Sequence, residues 1–107
     1  MSREPRFVAI GPAGSIPSGQ MREYVVEDVE IVVANVEGEY HALANRCPHQ
    51  GGPLGRGRLD DEGVIWCPWH LWQFDAKTGR ACWPEGYTRA SRYPVKVEDG
   101  QILVGVG

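Results

Sequence analysis

Apolar and polar positions fall into short runs of four to seven residues, and the runs favour strands. "RFVAI" (6–10), "MREYVVE" (21–27), "EIVVANV" (30–36) and "EYHALAN" (39–45) are rich in β-branched and aromatic residues. Each is bounded by Gly, Pro or acidic residues that interrupt an extended chain. "EGEY" between the third and fourth runs predicts a hairpin turn, because Gly38 accepts a positive φ without steric cost. Downstream the pattern resumes with "GVIW" (63–66), "LWQFD" (71–75), "YPVKV" (93–97) and "QILVGV" (101–106). Asp99-Gly100 between the last two is the strongest two-residue hairpin signal in the chain. No window repeats its apolar positions at the helical period over ten or more residues. The expected fold is therefore all-β, a small antiparallel sandwich or barrel, with room for one helical turn near 83–91.

One segment breaks the pattern. "CPHQGGPLGRGRLDDEG" (47–63) carries too much Gly and Pro for a strand and is too long for a hairpin loop. Structureless loops longer than about 12–15 residues are usually functional or disordered. Here Cys47 and His49 open the segment, and Cys67 and His70 follow its end, which favours function. Its acidic end, "RLDDEG" (58–63), is expected to be a solvated turn.

Bulk properties narrow the field. A chain of 107 residues is the size of one domain, and 42% apolar with 23% charged residues suits a soluble globular protein. A net charge of -3 excludes general nucleic-acid binding, which requires a basic face. The charges are unevenly placed along the chain. Glu23, Glu27, Asp28, Glu30, Glu37 and Glu39 crowd one segment, while Arg46, Arg56, Arg58, Arg80, Arg89 and Arg92 lie nearer the Cys/His segment. This predicts two solvated faces, or a charged docking surface that speeds encounter with a protein partner. No run approaches the roughly 20 apolar residues of a membrane helix, and "MSREPRFVAIGPAGSIP" holds no secretory apolar stretch. Three cysteines cannot complete a disulfide framework. A cytoplasmic location follows as the expectation, and there cysteines are more often ligands than disulfide partners.

Two thiols and two imidazoles can then serve three chemistries. Seventeen residues separate His49 from Cys67, and Pro48 and Pro68 stiffen the two halves. Gly51 and Gly52 let the backbone come close and are expected to aim N–H groups inward at anionic sulfur. A catalytic thiol is one reading, but neither Cys/His pair is distinguished from the other. A tetrahedral Cys2His2 zinc site is the second, although zinc fingers usually pair Cys with Cys and His with His. The mixed pairing also suits a [2Fe-2S] cluster in which one iron takes two thiolates and the other two imidazoles.

"CPHQGGPL" with "CPWHLWQFD" resembles the Rieske signature, Cys-x-His followed sixteen or seventeen residues later by Cys-x-x-His. "ALANRCPHQGG" and the tail "PEGYTRASRYPVKVEDGQILV" are similar to the corresponding parts of bacterial Rieske-type ferredoxins, so the resemblance covers nearly the whole chain. It implies a single Rieske domain over 1–107, with cluster-binding loops at about 46–56 and 66–75 forming a loop-rich subdomain on the β framework. It implies one [2Fe-2S] cluster per chain, with Cys47 and Cys67 on one iron and His49 and His70 on the other. The chain departs from the family at Leu71, where Gly is common after the second histidine. It departs from high-potential respiratory Rieske proteins too. Aligned on Cys67, Trp69 stands for their second loop cysteine, Trp72 for a serine and Phe74 for a tyrosine, and Gly52 stands for the cysteine of their first loop. Without those hydroxyl donors and that disulfide, a low potential is expected.

Beyond the four ligands only His41 remains of three histidines, too few for the two-histidine, one-carboxylate iron site of an oxygenase. No G-x-G-x-x-G follows a strand, so no nucleotide-binding reductase is expected. The resemblance implies a one-electron carrier with no substrate site of its own, from a flavoprotein ferredoxin reductase to the terminal oxygenase of an aromatic-ring dioxygenase. It implies neither nucleic acid nor membrane as a partner. A second reading is the small subunit of a cytosolic nitrite reductase, and a third is a zinc-stabilised binding module. Around the ligands, Trp66 and Trp72 are expected in the core, Trp69 over the cluster or against a partner, and Leu54 as a shield from water. Pro84 would begin a third covering loop, Cys82 reads as a structural thiol outside the ligand set, and His41 as an ordinary histidine of a strand.

Overall fold

The apolar run of the third strand decides the architecture. In the computed structural model, which describes residues 6–47, 51–69, 72–83 and 89–106, β1 spans Arg6–Pro12, β2 Met21–Val26 and β3 Val29–Val36. Successive side chains of a strand point to opposite faces. Ile31 and Val33 of β3 enter one core cluster with Ile16, Ile102 and Val104, while Val32 and Ala34 enter another with Leu54, Ile65 and Phe74. A strand buried on both faces reads as unbroken hydrophobic sequence rather than alternation, which explains "IVVA". β4 (Glu39–Ala44) pairs with β3 from Ile31↔Ala44 to Val36↔Glu39, and β2 pairs along its other edge.

The remaining strands complete three antiparallel sheets. β5 (Arg58–Leu59), β6 (Val64–Trp66), β7 (Gln73–Asp75) and β8 (Ala81–Trp83) form a sheet in that order. β9 (Arg92–Tyr93) extends the β2-β3-β4 sheet, while β10 (Val95–Glu98) and β11 (Gln101–Val106) join β1 in the order β1-β11-β10. Among the described residues the only helical element is one 3₁₀ turn, Leu54–Arg56. No helix among them is long and apolar enough to cross a membrane.

The all-β expectation holds, with instructive differences. The single strand expected over 93–97 is two strands in two sheets. Pro94 lacks an N–H and cannot continue the ladder; Tyr93 pairs with Ala42 of β4, and Val95 pairs with Val104 of β11. Both hairpin turns fall where expected, with positive φ at Glu37 and Gly38 (53° and 91°) and at Asp99 and Gly100 (52° and 75°). A third such turn, Glu27-Asp28 at 49° and 68°, has no glycine; Glu27 is instead paired with the Arg6 guanidinium. The helical turn considered near 83–91 lies largely outside the described residues, and Arg89 forms an antiparallel bridge to Arg80.

The segregated charges do not form two separate faces. Glu23 pairs with Arg56 at 3.2 Å and Glu30 with Arg46 at 3.4 Å, so folding brings the acidic strand against the arginines of the ligand segment.

Candidate metal centre

Cys47 follows β4 by three residues, and Cys67 follows β6 directly, so two sheets present one thiol each. Both side chains are fully enclosed, and both belong to the core cluster that holds Leu54, Ile65, Trp72 and Phe74. Gly52 is where the two ligand segments meet. Its carbonyl accepts the Cys47 N–H at 2.7 Å. A Cβ on Gly52 would lie 3.2 Å from the Cys67 Sγ and 3.0 Å from the Trp69 ring. The cradle is thus cut to glycine at the point where a side chain would fill it, and it is lined with soft sulfur. These residues fit a thiolate-bound iron–sulfur group: two buried sulfurs, a close backbone, and apolar neighbours that exclude water. His49 and His70, the expected imidazole ligands, lie outside the described residues, as do Leu71 and Pro84.

The backbone around the thiols is held by short hydrogen bonds. The Gly51 N–H donates to the Cys47 carbonyl at 2.7 Å, and the Cys67 N–H to the Trp72 carbonyl at 2.7 Å. The Gly51 donor is therefore spent on closing its own loop rather than aimed at sulfur, contrary to expectation. Gly51 sits at φ +77°, the left-handed conformation that glycine adopts freely. Leu54 is fully buried in the same cluster as both cysteines, as a water shield should be.

Two polar clasps, neither of them anticipated, fix the segment 54–66. In the first, Asn45 is only 8% exposed. Its amide donates to Glu23 Oε2 at 2.6 Å, and its side-chain carbonyl accepts the Gly55 N–H at 2.6 Å. The Arg56 Nε donates to the other Glu23 oxygen at 3.2 Å. β2 is thereby tied to the 3₁₀ turn that ends the first ligand loop. The Asn45 hydrogen bond, seconded by Arg56, holds the Glu23 carboxyl below its ordinary range against the opposing effect of burial.

The second clasp is Asp60, in the stretch expected to be only a solvated turn. One of its oxygens accepts the N–H groups of Glu62 (2.9 Å) and Val64 (3.0 Å), and the other accepts the Trp66 indole N–H at 3.0 Å. The Arg58 guanidinium lies 4.5 Å from the Trp66 ring centroid. Burial alone would raise the Asp60 pKa, but the donors from Trp66, Val64 and Glu62 outweigh it and hold the carboxyl low. The signal for this was present in sequence, since an Asp whose oxygen accepts N–H groups two and four residues on is an Asx turn. Asp60→Ala is expected to lower stability by about 2 kcal/mol, since it strips three donors of one charged acceptor. A carboxyl depressed on folding stabilises above its unfolded pKa of about 3.9, and that stabilisation is lost as pH falls through the folded value. The difference between wild type and variant in denaturant melts should therefore shrink below about pH 4. A constant difference from neutrality down to that pH would count against the clasp.

The tryptophans divide. Trp72 is buried in the core, as expected, whereas Trp66 is only half-buried and lies outside both core clusters, its indole N–H bound by Asp60. Trp69 and Trp83 are 57% and 56% exposed, and Trp69 stands over Gly52 beside Cys67. Cys82 is exposed, with its sulfur 3.9 Å from the Arg80 carbonyl oxygen. His41 lies on β4, apart from this centre.

The fold and much of the sequence are shared with known proteins. The Rieske [2Fe-2S] domain family matches residues 6–94. The ferredoxin component of the alkene monooxygenase system of Xanthobacter autotrophicus is 33% identical over 99 residues, covering 92% of this chain and 80% of that protein. The 3-phenylpropionate/cinnamic acid dioxygenase ferredoxin subunit of Shigella flexneri is 34% identical over 93 residues, 87% of each chain. Among solved structures, a chain in the complex of reduced oxygenase and oxidized ferredoxin of carbazole 1,9a-dioxygenase superposes with a TM-score of 0.84. It is 25% identical, over 92% of both chains. With two buried cysteines, one held to Gly52 by its backbone N–H and the other with its sulfur against that glycine, on an all-β frame, the chain belongs to the Rieske [2Fe-2S] domain family and carries one [2Fe-2S] cluster.

Proposed function

We propose that this chain is a low-potential ferredoxin of the cytoplasm. It would accept one electron from a flavoprotein reductase and deliver it to the terminal oxygenase of a dioxygenase acting on aromatic rings. All 107 residues would form one domain, with cluster-binding loops at about 46–56 and 66–75. Cys47 and Cys67 hold one iron, and His49 and His70 the other. The observation that carries this reading is the convergence of both cysteines on Gly52, beneath the exposed Trp69. The bound cluster supplies one-electron redox chemistry. The thiolates anchor it inside the core, Leu54 and Phe74 keep water from the sulfur side, and Trp69 offers a solvent-facing surface next to Cys67 for a partner.

The protein's residues also set the potential. Hydrogen-bond donors to cluster sulfur raise it, and the positions after Cys67 carry indole and phenyl rings, with Phe74 fully buried. A midpoint near or below about -100 mV is expected, toward the floor of the Rieske range of about -150 to +300 mV. The test joins two measurements on the purified, cluster-loaded chain: a redox titration, and stopped-flow oxidation of the reduced protein by candidate terminal oxygenases after reduction by their reductases. A low midpoint with rapid transfer in both directions is the expected result. A clearly positive midpoint, or no transfer to any such oxygenase, would reject the role.

A further inference from the structure

Away from the metal centre, an open surface cavity of about 390 Å³ lies between β4, the β9–β10 segment and the turn after β7. Neither cysteine lines it. Its volume is within the range of small-molecule sites, roughly 300–1,000 Å³. Three features give it a chemical character.

The first is charge. Lys77 and Arg92 both line the cavity, and neither is ion-paired with a carboxylate among the described residues. Lys96 also lines it but is occupied elsewhere, 3.1 Å from Glu98 and 4.3 Å from the Phe7 ring centroid. Glu39 is the opposing group, a 68% exposed side chain on the rim. The lining is therefore cationic in balance, although Asp75, which does not line it, adds a second carboxylate to the surroundings of His41.

The second is the imidazole of His41, which also lines the cavity and is 17% exposed. Its Nε2 is buried without a hydrogen-bond partner, with the Glu39 carboxylate 3.9 Å away. Burial lowers its pKa. Lys77 and Arg92 push in the same direction, while Glu39 and Asp75 oppose them. The third is the wall. Tyr40, Tyr93 and Val95 are half-buried, and Tyr40 is anchored where its hydroxyl accepts the Gly14 N–H at 3.0 Å. An aromatic and aliphatic lining suits an apolar body rather than a bare inorganic ion.

We infer that this cavity binds a small organic carboxylate, with its apolar body against Tyr40, Tyr93 and Val95 and its anionic head toward Lys77 and Arg92. Negative charge added beside His41 favours the imidazolium, so binding takes up protons and strengthens as the pH falls toward the titration range of histidine. Glu39 and Asp75 already act on the ring in that direction, and Lys77 and Arg92 act against it.

Calorimetry on the cluster-loaded full chain tests this with benzoate, its neutral isostere benzamide and inorganic phosphate, each in two buffers of different ionisation heat. Saturable benzoate binding with proton uptake is expected, with benzamide and phosphate each weaker by about ten-fold or more. The Lys77→Gln/Arg92→Gln double variant should lose benzoate affinity by a similar factor while keeping the visible spectrum and denaturation midpoint of wild type, because both side chains are on the surface. Absence of saturable benzoate heat, equal binding of benzamide, tighter binding of phosphate, or an unchanged affinity in the folded double variant would each overturn the proposal.

Discussion

Cys47→Ser and Cys67→Ser are each expected to yield a protein without its cluster, with iron and acid-labile sulfide reduced by about ten-fold or more and the visible absorption gone. The expectation follows from where the sulfurs are. Both are enclosed in the core cluster with Leu54 and Phe74, so water cannot replace a lost ligand from the sulfur side. A serine hydroxyl is far harder to ionise than a thiol and is a poor partner for soft iron. His49→Ala and His70→Ala should have the same outcome if the imidazoles complete the second iron. Cys82→Ser is the internal control, because Cys82 is exposed on β8 and outside the ligand set; it should keep full iron content. Any of the four ligand variants purified with unchanged iron, sulfide and spectrum would remove that residue from the proposed set.

The cluster loss would also report on the fold. Cys47 and Cys67 fill core volume in the cluster shared by β3, β6 and β7. A family whose metal sits at the junction of two sheets couples metal binding to the docking of those sheets. The first clasp works toward the same end. Asn45 bridges Glu23 of β2 and the Gly55 N–H, so the turn that ends the first ligand loop is anchored to the β2-β3-β4 sheet independently of the metal.

Much of this was legible in the chain, for a physical reason that also marks the boundary. "IVVA" of β3 and the turn pairs Glu37-Gly38 and Asp99-Gly100 encode local geometry, and local geometry is what a linear pattern carries. Cys47 and Cys67 stood out as candidate ligands because metal ligands need fixed chemistry at short spacing, and the fold buries both. The two-residue strand β5 and the three-residue strand β8 were not, since "RL" and "ACW" are too short for any alternation to appear. Strand β9 escaped because Pro94 hides a change of sheet inside one apolar run. The ion pairs were missed for another reason: Glu23 and Arg56 are 33 residues apart, and only tertiary folding brings them to 3.2 Å. Part of what the sequence displays as charge segregation, Glu23 with Arg56 and Glu30 with Arg46, is complementary once the chain folds.

Gly57 shows how far a long-range constraint can hide in a common residue, and Gly57→Ala is expected to be the most damaging conservative substitution outside the ligands. Its backbone, at φ -85° and ψ -143°, needs no left-handed freedom. The requirement is steric. A Cβ at this position would fall inside the van der Waals sphere of the Trp66 carbonyl oxygen and 3.2 Å from Pro68 Cδ. A side chain could rotate away, but a backbone oxygen moves only with its strand. Trp66 is the last residue of β6, paired with Arg58 of β5, and directly precedes Cys67. Relieving the clash means separating β5 from β6 or shifting the second thiol. We expect a loss of about 3 kcal/mol or more, the upper end of overpacking costs. For a domain of this size that corresponds to a fall in Tm of roughly 10–20 °C. Thermal melts followed by near-ultraviolet circular dichroism would read the stability, and the visible spectrum at low temperature would read the displaced thiol. Gly14→Ala is the contrast: its φ of +92° strains an alanine, yet its Cβ would meet nothing within 4 Å, so a smaller loss and an unaltered spectrum are expected there. If Gly57→Ala melted within a few degrees of wild type with its spectrum intact, the close approach of β5 to Trp66 could not be what holds Cys67 in place.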